Sequence, residues 1–235
     1  MFNTTIATQI YAKICFEATN SQKKIIENLS EYLSDDDFSR IFVLNGFAGT
    51  GKTTLIAALV AALKELRIKP VLLAPTGRAA KVLARYCGEQ ALTIHKRIYR
   101  QRTNADYESK FSLDFNREQG AVFIVDEASM LSDSTGDGAL FGSGSLLEDL
   151  VSYVRSGRGC RLILVGDSAQ LPPVGCDFSP ALDPDGFALR RSRLRADGRG
   201  GAPADAVGYS VQCYAGALHA RKPYLRNTEI RNGLP

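Results

Sequence analysis

Residues 46–54 read GFAGTGKTT, and no other stretch restricts the fold as tightly. They fit the spacing G-x-x-x-x-G-K-[ST], in which a glycine loop aims backbone N–H groups at phosphate oxygens. Such a loop works only where a strand delivers it and a helix receives it. Ile41, Phe42, Val43 and Leu44 form the apolar, β-branched run of a buried strand. Thr54 to Leu66, rich in Ala and Leu, has the composition of a helix. Gly46, Gly49 and Gly51 permit the tight turn, with Ala48 and Thr50 between them. The helix N-terminus, opening at Thr53 and Thr54, adds partial positive charge. Lys52 can reach the β- and γ-phosphates of a nucleotide, and Thr53 can hold Mg²⁺. ATP and Mg²⁺ are therefore the expected cofactors.

The remaining pattern supplies a sheet for this loop. Short apolar runs at Val71–Ala74, Ala121–Val125 and Arg161–Val165 read as further strands. Helical patterns fall at Ser21–Leu33, Arg78–Tyr86, Ile94–Arg100 and Leu146–Val154. Residues 101–119 are polar and read as an irregular surface excursion, and residues 132–145, rich in Ser, Gly and Asp, as a mobile loop. Strands alternating with helices give an α/β fold, a P-loop NTPase with a parallel sheet covered on both faces. In such sheets ligands bind at the carboxyl ends of the strands. Asp126 and Glu127 end the third strand, where one carboxylate can hold Mg²⁺ and its neighbour can activate water. Gly166-Asp167-Ser168-Ala169-Gln170 ends the fourth, and Gln170 can touch both the γ-phosphate and the attacking water.

Composition narrows the remaining classes. The 235 residues are enough for one large domain or two small ones. No apolar run reaches the ~18 residues of a membrane span, and MFNTTIATQIYAK lacks the basic and apolar regions of a signal peptide. The five cysteines are scattered without CxxC, and there are two histidines, His95 and His219. The expectation is a cytoplasmic protein with buried thiols, no disulfide framework and no structural metal. Residues 1–185 hold 20 Lys+Arg and 22 Asp+Glu, and residues 186–235 hold 9 and 3, so the net +4 belongs to the tail. One local cluster suits a polyanion: Arg78, Lys81, Arg85, Lys96, Arg97, Arg100 and Arg102 stand against a single acid, Glu89.

GFAGTGKTT, APTGRAAKVL (74–83), TIHKRIY (93–99), VDEASML (125–131) and GDSAQLPPVG (166–175) stand in one order. This set resembles the RecD-like and Dda-like superfamily 1 DNA helicases, the exodeoxyribonuclease V alpha subunit among them, over roughly residues 15–185. The resemblance implies the first of two RecA-like motor domains at 41–185, preceded by a helical segment (1–40) with an adenine-side motif. It implies an ATP site of Lys52, Thr53, Asp126, Glu127 and Gln170, with Lys52, Glu127 and Gln170 catalytic. Gln22 matches the adenine-reading glutamine of the family, the alternative being an exposed glutamine at a helix start. Pro75, Thr76, Gly77, Arg78, Thr93 and His95 match segments that grip single-stranded DNA, and His95 equally suits a packing or capping role. The family couples ATP turnover to 5′→3′ movement on single-stranded DNA, with repair, recombination and phage replication as alternative pathways that the resemblance does not choose between. A second motor domain supplies arginines to the transferring phosphoryl group, and those arginines are absent here.

After Asp185 the texture changes: RRSRLRADGRGGAPAD has neither helical nor strand period. One reading is a disordered basic tail that binds nucleic acid. The preferred one is a shifted reading frame. Read from each second base, codons for residues 199–203 allow Glu-Val-Val-Arg-Gln, and those for 207–214 allow Ser-Gly-Ile-Leu-Tyr-Asn-Ala-Thr, both in the family's order. The chain is then a truncated helicase, expected to bind nucleotide with weak or absent hydrolysis. The competing classes are a nucleotide-binding module without turnover and a P-loop phosphotransferase, in which GDSAQLPPV would have no role.

Overall fold

Alternate residues along each central strand enter opposite cores, and this period of two builds the molecule. The structure is a computed structural model, and it describes residues 2–103, 109–131, 141–170, 179–183 and 208–212. Strands β1 (Ile41–Asn45), β2 (Pro70–Ala74), β3 (Ala91–Thr93), β6 (Val122–Val125), β7 (Arg161–Gly166) and β8 (Gly208–Gln212) form one sheet in the order β3-β2-β6-β7-β1-β8. Every pairing in it is parallel. Phe42 and Leu44, Val122 and Ile124, and Ile163 and Val165 face one core. Ile41 and Val43, Phe123 and Val125, and Leu162 and Leu164 face the other. Burial on both faces requires helices on both, as expected for a parallel sheet.

The first face carries α1 (Phe2–Lys13), α2 (Asn20–Ser34), α3 (Lys52–Glu65) and α4 (Gly77–Cys87). Within the N-terminal helical segment, α1 was not anticipated as a separate helix. Its Ile6 and Ile10, four residues apart, are fully buried against α2 and α3. Helix α2 begins with a capping box between Thr19 and Gln22. Its far end is locked to β7. The buried Arg161 donates to the carbonyls of Tyr32 (2.8 Å) and Asp35, with its guanidinium 4.5 Å from the centre of the Phe38 ring. The Tyr32 hydroxyl donates to the Leu162 carbonyl at 2.9 Å and accepts from the Leu162 N–H at 3.1 Å. These ties fix where α2 places Gln22.

The second face carries α5 (Ile94–Ile98), α6 (Leu146–Ser156) and two 3-10 turns, Ala128–Met130 and Pro180–Leu182. Here the structure corrects two expectations. The helix expected to reach Arg100 ends at Ile98, and the excursion expected over 101–119 is mostly ordered. Strands β4 (Tyr99–Thr103) and β5 (Ser109–Leu113) pair antiparallel, Tyr99 opposite Leu113 and Gln101 opposite Phe111. Tertiary anchors override the polar local sequence. The Tyr99 hydroxyl donates to Asp149 at 2.6 Å, and Phe111 stacks on Phe141 with centroids 4.6 Å apart. Of the loop expected at 132–145, residues 132–140 lie outside the described residues.

Strand β8 corrects part of the irregular tail. Residues 208–212 pair with β1 from Ile41↔Gly208 to Asn45↔Gln212. An edge strand takes its hydrogen bonds from the backbone, so it needs no long apolar run. The rest of the tail, with its proposed frame change, lies outside the described residues. Buried thiols were expected; Cys160 is buried, Cys87 is intermediate and Cys15 is exposed. No described helix is long and apolar enough to cross a membrane.

Candidate nucleotide-binding site

Because β7 lies between β1 and β6, three strand ends stand in a row. The glycine loop leaves β1, Gly166-Asp167 leaves β7, and Asp126-Glu127 leaves β6. Two hydrogen bonds, one of them to a side chain, tie the first two together. The Gly46 N–H donates to the Gly166 carbonyl at 3.1 Å, and the Ser168 N–H to the Asn45 side chain at 3.0 Å. A Cβ at Gly166 would lie 2.8–2.9 Å from the Leu182 methyls and 3.0 Å from the Ser129 nitrogen, so a larger residue here would force both to shift.

The loop closes on itself. Gly49 and Gly51 take φ of 77° and 85°, and Gly51 caps α3 with no side-chain acceptor. The first N–H groups of α3, at Lys52, Thr53 and Thr54, therefore lack a side-chain cap. The Lys52 ammonium donates to the carbonyls of Gly46 and Phe47, the latter at 2.8 Å. Burial lowers the Lys52 pKa, while Asp167 and Asp126 pull it back up. Gln22 is 8% exposed, so it is not an exposed helix-start residue. Its oxygen accepts from the Thr19 N–H at 3.0 Å, and its amide donates to the Thr50 carbonyl at 3.3 Å. With Ile25, Leu44, Gly46 and Leu55 it lines a small pocket behind the loop.

Asp126 is held on both sides. Its N–H donates to the Leu73 carbonyl at 3.0 Å, and its carboxylate accepts from the Glu127 N–H at 3.0 Å. Burial pushes its pKa up, against that backbone bond and the Lys52 charge. Glu127 sits at φ 54°, left-handed for a residue with a side chain, a conformation costing about 1–3 kcal/mol. Burial and Asp126 raise its pKa, and Arg78 opposes them. Gln170 is exposed and its oxygen accepts from the Ser129 hydroxyl at 3.3 Å. Sequence reasoning gave no role to Asn45, Ser129 or Asp167. Asp167, 4% exposed, is the stronger of the two carboxylate charges acting on Lys52. Its place in GDSAQ was the signal that could have found it.

The segments expected at DNA sit at the ends of β2 and β3, which are register neighbours. The Thr76 hydroxyl caps α4 by accepting from Ala79 N–H at 3.2 Å, and the Thr93 hydroxyl caps α5 by accepting from Lys96 N–H at 3.3 Å. Pro75 is half-buried before that cap, and Gly77 and Arg78 are exposed after it. His95 packs 5.3 Å from Phe141 and 5.7 Å from Tyr99 between ring centroids, and burial lowers its pKa. These ring contacts fit the packing role, although the residue as a whole is exposed. The basic cluster divides. Arg97 pairs with Glu118 at 2.7 Å and Arg100 with Asp114 at 3.0 Å. Arg78, Lys81 and Arg85 remain together on α4.

These parts define a P-loop NTPase site on a RecA-like sheet. The AAA domain family model matches residues 17–177, and the chain belongs to that family. Its similarities run to RecD- and Dda-type helicases of superfamily 1. The ATP-dependent RecD2 DNA helicase of Deinococcus radiodurans is 30% identical over 154 residues, 66% of this chain and 19% of that protein. The RecBCD enzyme subunit RecD of Mycobacterium tuberculosis is 35% identical over 180 residues, 66% of this chain and 28% of that protein. The ATP-dependent DNA helicase dda of Enterobacteria phage T4 is 34% identical over 136 residues, 56% and 28% of the two chains. The chain spans less than a third of the length of each of these relatives.

The residues present suit a nucleoside triphosphate. An uncapped helix start, a loop that turns through left-handed glycines and a lysine that, among the described residues, bonds loop carbonyls together form an anion cradle. The family membership implies ATP binding.

Proposed function

We propose that this chain is the ATP-binding half of a 5′→3′ DNA helicase motor that tracks single-stranded DNA. The observation that carries the reading is the row of strand ends, which gathers Lys52, Asp167, Gln170, Asp126 and Glu127 between β1 and β6. In this reading Gly46, Ala48, Gly49, Thr50 and Gly51 present backbone N–H groups to the phosphates, and Gln22 sets the adenine side. Thr53 and Asp126 would hold Mg²⁺, which when bound neutralises charge on the phosphates. Lys52 leaves its loop carbonyls for phosphate oxygens. Glu127, its pKa raised by burial, takes a proton from water, and Gln170 orients that water. Ser129 holds Gln170 until then.

Pro75, Thr76, Gly77, Arg78, Thr93 and His95 form the DNA side of the motor. Thr76 and Thr93 act there through the helix starts they cap. A second motor domain supplies the arginines that complete hydrolysis, so this chain by itself binds nucleotide and turns it over weakly or not at all.

A fluorescent ATP analogue titrated into the purified chain tests this. Lys52→Ala should weaken binding about 10²-fold, the loss of one or two charge-assisted hydrogen bonds of ~1.5–3 kcal/mol each. Asp126→Asn should remove the dependence on Mg²⁺. Unchanged affinity in both variants rejects the site. Robust turnover stimulated by single-stranded DNA rejects the need for a second domain.

A further inference from the structure

One face of α4 is covered by nothing among the described residues. Its inner side is settled, with Ala79, Ala80 and Leu83 buried. Its outer side carries Arg78, Lys81, Val82, Arg85 and Tyr86, all exposed, with Tyr86 at 64% and Val82 at 48%. Their spacing of three and four residues puts them in one stripe about 12 Å long. The stripe holds three cations and no acid. The nearest acid in sequence, Glu89, pairs with Lys64. Among the described residues no ion pair involves Arg78, Lys81 or Arg85. Of the other basic residues in the cluster, Arg97 and Arg100 are neutralised, and Lys96 lies on α5 across the sheet.

We infer that this stripe is a second contact for single-stranded nucleic acid, carrying the strand from Arg78 along α4 to Tyr86. It rests on the DNA-tracking reading above and extends it. Arg78, Lys81 and Arg85 neutralise successive phosphates, and the Tyr86 ring offers a stacking surface for one base. A cationic track beside an exposed aromatic ring is how proteins hold single strands without reading sequence. A docked protein helix would need a wider apolar seam than Val82 and Tyr86, which lie one turn apart. The stripe also begins at Arg78, on the segment already expected at DNA, so strand and stripe are continuous.

The test is fluorescence anisotropy of the full chain with labelled oligothymidylates of about 6 and about 20 nucleotides, within and beyond a short binding site. Circular dichroism checks the fold of each variant; all the changed residues are exposed. Lys81→Ala/Arg85→Ala should weaken the long strand and reduce its log K against log salt slope by about 1.4, two phosphates at ~0.7 each. Tyr86→Ala should cost about 5- to 150-fold on the long strand, with Tyr86→Phe restoring it. The short strand should respond to Arg78→Ala and not to these variants. An unchanged long-strand affinity and slope in the double variant overturns the inference and leaves the DNA reading standing. So does a neutral Tyr86→Ala with parallel losses toward polyglutamate, the mark of a general polyanion surface. Failure of the unmodified chain to bind either strand overturns both.

Discussion

The two faces of the sheet are held by different means. The first face is held mainly by apolar packing: Ile6, Ile26, Leu29, Leu59 and Leu63 are at most 2% exposed and pack helix on helix, with polar ties where Tyr32 and Arg161 join the end of α2 to β7. The second has a comparable core but is closed by polar ties. Asp149, 5% exposed, accepts from the Tyr99 hydroxyl at 2.6 Å and from the Ser143 N–H at 3.0 Å. Glu118 joins Lys69 and Arg97, and the Asn116 amide donates to the Val154 carbonyl at 3.3 Å. The nucleotide loop leans on the first face through Gln22 and α3, whereas the β4–β5 hairpin and His95 lean on the second. Apolar packing transmits strain throughout a close-packed core. Hydrogen-bonded ties fix single elements and fail singly.

The sharpest way to break this contrast is a cavity on the first face. Leu59→Ala, at 2% exposure on α3, should cost about 2–5 kcal/mol. Amide exchange should rise across the whole sheet, and nucleotide affinity should fall with it. A loss confined to α3 would show that the first face is not one cooperative unit.

The next test is a tie on the second face. Asp149→Ala leaves a buried tyrosine hydroxyl and the Ser143 N–H without their acceptor, at about 1–3 kcal/mol for each group. Exchange should rise in Tyr99–Leu113 and around residues 141–145, with nucleotide binding preserved. Adding Tyr99→Phe to Asp149→Ala should recover part of the loss, because both polar partners are then gone. Loss of nucleotide binding in Asp149→Ala would couple the two faces more tightly than their contacts suggest.

The same contrast explains how far the sequence could be read. On the first face, local signals and packing agree. The apolar period of Ser21–Leu33 matched α2, and the glycine loop demanded β1 and α3 around it. The strand ends that carry the candidate site residues were legible too, because each end bears a recognisable string. Asp167 escaped because its role is to face Lys52 from a neighbouring strand, and strand order is not written locally. The hairpin escaped for a similar reason. Gln101, Arg102 and Thr103 look irregular alone, and become a strand only once Tyr99 meets Asp149, fifty residues on. His95 was legible as a motif residue, but its partner Phe141 lies in a stretch read as a mobile loop.

The smallest expected effect concerns Glu118, which ties the segment before β6 to α5 and to the start of β2. Lys69 reaches it at 2.8 Å and Arg97 at 2.7 Å. Burial would raise its pKa, but the hydrogen bonds and charges of these two cations outweigh it, and the carboxyl lies below its ordinary value. A depressed carboxyl binds fewer protons in the native than in the unfolded chain. Its contribution is therefore fully present above the ordinary glutamate range and disappears as pH falls through the lower native value. Glu118→Gln should lower stability at pH 7 by about 0.2–1 kcal/mol, the range of partly exposed pairs. The difference from the unmodified chain should shrink toward zero in acid, and at neutral pH it should shrink with added salt. Thermal melts across pH and salt measure both. A deficit that persists unchanged at low pH would show that the amide disturbs packing around Cys160 and Asn116 instead of removing a charge, and the second face would then resemble the first.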